Sequence, residues 1–250
     1  MKFWFKHQGA TYSFDREVYY DLSTPIRDGE MNVNAYYLDP PRFETFCAGD
    51  FVGSVSRGGA CNCESIAFNA HGNGTHTECV GHISKEKITI NQSLKSFQAF
   101  AELITVKPAT KSNGDTYVSA SVLDEVDLTS IEALVIRTLP NEDEKLTHKY
   151  SGTNPTYIDH LLTQKLAENG VQHIIIDLPS VDRESDGGKL MAHHAFWDYP
   201  RNPRKNATIT ELAFIPNEAK DGRYLLQLQI AAFESDASPS KPLLYPIESE

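Results

Sequence analysis

The sequence predicts a single α/β domain, and three observations point to it. The chain has 250 residues and 40% hydrophobic content, enough for one substantial core and the size of one domain. Glycine, proline and charge stand near ordinary globular usage, which argues against disordered and fibrous classes. Between residues 133 and 176 an apolar run, an amphipathic stretch and a second apolar run follow one another. That is the pattern of a strand–helix–strand unit with parallel strands.

Taken in order, the first third reads as short strands and loops, with Pro and Gly scattered through Asp21 to Gly59. Ser65 to Asn69 is a small apolar run that leads into a His-rich loop. Phe97 to Val106 reads as a strand ending at Lys107-Pro108. Ala133 to Ile136 is continuously apolar, as a strand covered on both faces must be. Asn154-Pro155 is expected to open a helix, with Asn as N-cap and Pro in the first turn. Tyr157, Ile158, Leu161, Leu162 and Leu166 then line one helical stripe, and Gly170 takes the position just past the end. Val171 to Ile176 is the second buried strand. It runs into Asp177-Leu-Pro-Ser180, and polar residues at the carboxyl end of a parallel strand are well placed for a site. His193-His194 and Glu211 form a second polar cluster. Leu226, Leu228 and Ile230 alternate with Gln227 and Gln229 within Tyr224–Phe233, the period of a half-buried strand. The Pro- and Ser-rich tail, about 234–250, reads as an extended arm packing on the body or on a neighbouring subunit. No repeat of the solenoid or propeller kind and no long linker divides the chain.

The formal net charge of −11 argues against nucleic acid or an anionic membrane as partner, because both need a basic footprint. The opening Met1-Lys-Phe-Trp-Phe-Lys-His has only a three-residue apolar run, unlike a secretory signal. No stretch approaches a membrane span. Cys47, Cys61, Cys63 and Cys79 in a chain this long are not a disulfide scaffold, so reduced thiols in the cytoplasm are expected. The Cys61-x-Cys63 pair reads as two small residues on one strand face. The other reading, soft-metal ligation, lacks the second cysteine pair such sites usually have.

The chemistry concentrates in His71-Gly-Asn-Gly-Thr-His76-Thr-Glu78-Cys-Val-Gly-His82, where three histidines and a glutamate fall within twelve residues. Imidazole and carboxylate together suit Zn, Mn or Fe(II). The glycines allow sharp turns that let side chains converge. His76 and Glu78 are two apart and share a face if the segment is extended, while His82 approaches from another side. The H-E-x-x-H helix of metalloproteases is absent.

These residues resemble the cyclase family of metal-dependent hydrolases, which includes bacterial kynurenine formamidase and isatin hydrolase and carries H-x-G-T-H-x-D-x-P-x-H. Gly74-Thr75-His76, Glu78 and His82 fit that spacing. Asp21-Leu22-Ser23, Ile136-Arg137-Thr138, Asp177-Leu-Pro-Ser-Val-Asp182, Ala192-His193-His194, Thr210-Glu211-Leu212 and Asp236-Ala-Ser-Pro-Ser-Lys241 are similar to further family segments in the same order. The resemblance implies one α/β domain over 1–250 with a mixed, barrel-like sheet and flanking helices, of the swivelling β/β/α type.

It also implies one or two divalent ions, zinc first and manganese next. His71 and His76 would hold the first ion, Glu78 and Glu211 would bridge, and His193 would hold the second. His82 would carry the proton. Thr75, Ser180 and His194 are candidates for orienting ligands or substrate. The implied activity is hydrolysis of a C–N bond in a small amide, formamide or cyclic imide. A catalytically altered metal- or ligand-binding relative and a non-hydrolytic cyclase or dehydratase are the alternatives. The family's habit implies a homodimer or homotetramer acting on a small molecule.

Three features depart from the family pattern. The residue four before His76 is Gly72, not histidine, and His71 lies five before; a one-residue bulge in the Gly-rich loop would restore that ligand. Glu78 stands for an aspartate. The stretch Glu30-Met-Asn-Val-Asn34 lacks the tryptophan that kynurenine formamidases place against the substrate ring, and Tyr36 and Tyr37 lie nearby out of alignment.

Overall fold

The computed structural model describes residues 1–249. Seven strands form a closed ring: β1 (His76–Cys79), β2 (Gln98–Val106), β3 (Ala133–Thr138), β4 (His173–Ile176), β5 (Thr208–Glu211), β6 (Gly222–Ile230) and β7 (Ala237–Pro246). Around the ring the order is β6-β2-β3-β4-β5-β1-β7, and β7 pairs back onto β6. The strands from β2 through β3 and β4 to β5 are mutually parallel, and the remaining pairs are antiparallel. The fold is thus a single α/β domain around a mixed barrel.

Alternation along β3 explains its unbroken apolar run. Ala133 and Val135 join Ala101, Leu103, Ile175, Leu226 and Leu244 in one cluster drawn from five strands, which fills the barrel. Leu134 and Ile136 join Ile174, Ile176, Leu162, Leu166, Phe196 and Trp197 in a second cluster, under the helices. Those helices are α1 (His160–Glu168) and α2 (Met191–Trp197). A strand buried on both faces has no polar positions to spare.

One expectation is corrected here and another is made definite. The helix does not open at Asn154-Pro155. Tyr157 and Ile158 form a short strand parallel to Tyr117 and Val118, so α1 starts later, capped by the Asp159 carboxylate accepting from the Leu161 N–H at 3.1 Å. Asn154 sits at φ +52° and donates instead to Asp115 at 2.9 Å. Its stop is as read, with Gly170 at φ +80°, a conformation that suits glycine. The tail, read as an extended arm packing on the body or on a neighbouring subunit, is largely a strand of the barrel. Residues 237–246 are β7, the strand that closes the ring between β6 and β1.

Cys61 and Cys63 lie in an exposed loop rather than on a strand. Among the described residues they join no metal-binding group, and all four cysteines are free thiols.

Candidate active site

The barrel delivers His76, Glu78 and Glu211 to one place through register. On β1, Thr77 turns to the face where its hydroxyl meets Thr210 at 2.8 Å, so His76 and Glu78 turn to the other. There Glu78 stands opposite Ile209, and His76 opposite Glu211. Because β5 is antiparallel to β1, Glu211 at the carboxyl end of β5 and His76 at the start of β1 lie at the same rim. The loop after β4 carries Ser180 and Asp182 to that rim, and α2 brings down His193.

His71 arrives from a helical turn, Ala70–Asn73, capped by the Asn69 side chain accepting from the His71 N–H at 3.0 Å. The turn answers the spacing question. A side chain at Gly72 would meet Leu38 Cδ1 at 2.6 Å and the Ala35 carbonyl at 2.8 Å, so that position is closed and the residue before it supplies the imidazole. His71 Nδ1 lies 3.3 Å from Glu78 Oε2.

The remaining distances define a compact cluster. His193 Nε2 is 3.0 Å from Glu78 Oε1 and 3.8 Å from Glu211 Oε1. His76 Nε2 is 3.5 Å from Glu211 Oε2. His82 Nδ1 is 3.7 Å from Glu78 Oε2 and 3.0 Å from Asp236 Oδ2. Donor atoms of His71, His76 and Glu78 lie within 4.8 Å of one another, and so do those of Glu78, His82 and His193 and those of His71, His82 and Asp236. Glu78 belongs to two of these three groups, whereas Glu211 lies alongside them. His82, expected only as a proton carrier, stands close enough to be a donor.

The cluster's protonation follows from burial and pairing. Burial disfavours charge on the His193 ring, but hydrogen bonds to Asp182 and Glu78 outweigh it and hold its pKa well above the ordinary value. His71 is likewise pushed up to about 10, burial being outweighed by the Asp236 and Glu78 carboxylates. Burial raises Glu78, but the charges of His82 and His193 and the hydrogen bond from His193 leave it well below the usual carboxylate range.

A divalent cation fits the residues present. Among the described residues, the buried atoms His76 Nε2 and Glu78 Oε2 have no hydrogen-bond partner, which costs free energy unless something binds them. His76 Nδ1 donates to the Gly74 carbonyl at 3.1 Å, and His193 Nδ1 donates to Asp182 at 2.6 Å. Each turns its Nε2 toward the cluster, where a cation could replace the proton that His193 shares with Glu78; this is the usual orientation of metal-binding histidines.

Above the cluster opens a cavity of about 350 Å³ walled by Tyr36, Leu38 and Leu190, with Arg183, Glu184 and Asp186 also lining it. Tyr36 is held there at φ +60° by its hydroxyl donating to the Pro179 carbonyl at 2.7 Å. Ser180 lines the same cavity, and its hydroxyl accepts the Asp182 N–H at 3.0 Å. Thr75 is buried, donating to the Leu212 carbonyl and accepting from the Thr24 N–H, both at 2.7 Å, so it ties the loop to the barrel. His194 is not brought to the cluster; its Nδ1 donates to the Tyr199 carbonyl at 2.9 Å. Asp182, Asp236 and Tyr36 are site residues that sequence reasoning did not single out. The two aspartates lie inside quoted family segments, which was the available signal.

A closed mixed barrel with buried imidazole and carboxylate donors under an open cavity defines a class, that of enzymes built on a cation-holding centre. The family profile described as "Putative cyclase" matches residues 20–183, and the chain belongs to that cyclase family. The kynurenine formamidase of Bacillus thuringiensis (strain Al Hakam) is 27% identical over 199 residues, covering 78% of this chain and 85% of that protein. Among solved structures, an isatin hydrolase bound to the product analogue thioisatinate is similar, with a TM-score of 0.67 at 14% identity over 92% of each chain. A potential metal-dependent hydrolase with cyclase activity matches with a TM-score of 0.64 at 15% identity, over 91% of this chain and 97% of the other. These likenesses establish the fold.

Proposed function

We propose that this chain is a metal-dependent hydrolase that cleaves a C–N bond of a small amide, formamide or cyclic imide with water. The observation that carries the reading is the buried, unpartnered pair His76 Nε2 and Glu78 Oε2, set behind His71, His82, His193 and Glu211, which line an open cavity. His71, His76, Glu78, His193 and Glu211 would hold one or two ions, zinc by preference and manganese next, since imidazole and carboxylate suit both. When bound, a divalent cation supplies Lewis acidity that makes water nucleophilic near neutral pH and polarises the scissile carbonyl.

The chain's own residues do the rest. His82, at the edge of the cavity, takes the proton released as water adds to the carbonyl carbon. It returns a proton to the departing nitrogen as the C–N bond breaks. Tyr36, Leu38 and Leu190 offer an apolar wall to a flat substrate. The formamidase and isatin hydrolase relatives direct the first assays to aryl formamides and to isatin-like cyclic amides.

His82→Ala tests the reading. The variant keeps its metal content and loses about 10²–10⁴-fold in turnover. Full turnover would overturn the proton role, and loss of metal would make His82 a ligand instead. Free exposed thiols at Cys47, Cys61 and Cys63 suit a reducing cytoplasm. The exposed apolar side chains Phe46, Phe51 and Ile66 suit burial against a second copy, in a homodimer or homotetramer. Among the described residues no helix is long and apolar enough to cross a membrane.

A further inference from the structure

We propose that Asp236 is a positioning residue shared by two histidines, and that it turns His71 so that Nδ1 rather than Nε2 is offered to a cation. The inference rests on the reading of the cluster as a cation site and adds which atoms it uses.

Asp236 Oδ2 lies 3.0 Å from His71 Nε2 and 3.0 Å from His82 Nδ1. The two rings stand side by side, with centroids 4.5 Å apart. An ionised carboxylate only accepts, so each of those ring nitrogens carries its hydrogen toward Asp236. His71 is left with Nδ1 facing Glu78 Oε2 at 3.3 Å. That nitrogen holds a proton toward Glu78 when no ion is present and can exchange it for a cation. His82 is left with Nε2 as its free nitrogen for proton transfer. At His76 and His193 the choice is the reverse. Their Nδ1 atoms are held by the Gly74 carbonyl and by Asp182, and Nε2 faces the cluster.

Asp236 is itself fixed. It immediately precedes β7, whose first residue Ala237 pairs with Glu78. Its carbonyl accepts the Cys79 N–H at 3.0 Å, and its Oδ1 accepts the Ser235 hydroxyl at 3.0 Å. The closed position at Gly72 explains why a carboxylate is needed here. His71 enters from a helical turn, and Asp236 is its contact at Nε2 while Glu78 lies at Nδ1.

The test is histidine-ring ¹⁵N NMR on the full-length protein, metal-free and loaded with Cd(II), in the wild type, Asp236→Asn and Asp236→Ala. In the loaded wild type, cadmium coupling is expected at Nδ1 of His71 and at Nε2 of His76. Coupling of His71 through Nε2 overturns the proposal. In Asp236→Ala, Zn(II) affinity, measured by chelator competition, is expected to fall about 10–100-fold. The kcat is expected to fall with KM little changed, and Asp236→Asn, which keeps one acceptor, should recover part of each loss. Metal-free Asp236→Ala is expected to shift the ring signals of both His71 and His82, and unchanged signals overturn the shared contact without reference to any ion. If Cd(II) binds as expected but no amide or imide turns over, the hydrolase reading fails and this inference stands.

Discussion

At the residue scale the site depends on carboxylates that act through histidines. Glu78 is fully buried and meets three imidazoles; a buried charge persists only when paired in this way. His193 depends in turn on Asp182, which fixes the ring with Nδ1–H toward itself. Asp182→Ala frees that ring, and the expected outcome is a 10–100-fold loss of zinc affinity, read by chelator competition, with the fold intact by circular dichroism. His76, Glu78 and His82 stand out in the sequence by their short spacing, and His193 and Glu211 only through resemblance to family segments; the fold brings all five into one cluster. Asp182 and Asp236 do not stand out, because a carboxylate that orients a histidine need keep no spacing from it. Loop geometry alone brings them together across 11 and 165 residues respectively.

At the element scale, hydrophobic pattern read the buried strands well and the polar boundaries poorly. Residues 133–138, 173–176 and 222–230 form strands where apolar runs or alternation placed them. β7 escaped because Pro239, Pro242 and Pro246 suggest a tail. Proline removes a donor but keeps its acceptor, and the Pro242 carbonyl still accepts the Leu22 N–H at 3.0 Å. β4 also carries a pH liability. His173 is buried against the Thr208 hydroxyl at 2.9 Å, and burial, helped by Arg204, pushes its pKa down to about 4. The unfolded ring takes up a proton below about 6.5, while the native ring resists until about 4. Between those values the unfolded state binds more protons, so stability falls as pH falls, by roughly 3 kcal/mol in all. Urea unfolding of metal-free His173→Gln at pH 7 and pH 4.5 is expected to show a smaller acid loss than the wild type.

At the scale of the whole molecule, ring closure is what holds the site. β7 spans β6 and β1 and carries Asp236 to the cluster at its start. A chain cut before Asp236 leaves two open sheet edges and uncovers Leu226 in the barrel, so it is expected to lose cooperative thermal unfolding by circular dichroism, not merely activity. The barrel itself was legible only through family resemblance, since local pattern reveals one parallel unit but not that the sheet closes. β1 has a further consequence. It is held in register from both sides, with Glu78 opposite Ile209 and Ala237. One residue gained or lost within 76–79 would swing His76 and Glu78 to the far face. The turn ahead of it lies outside that pairing. A residue added or removed there is expected to move His71 while His76 and Glu78 stay on their face of the barrel.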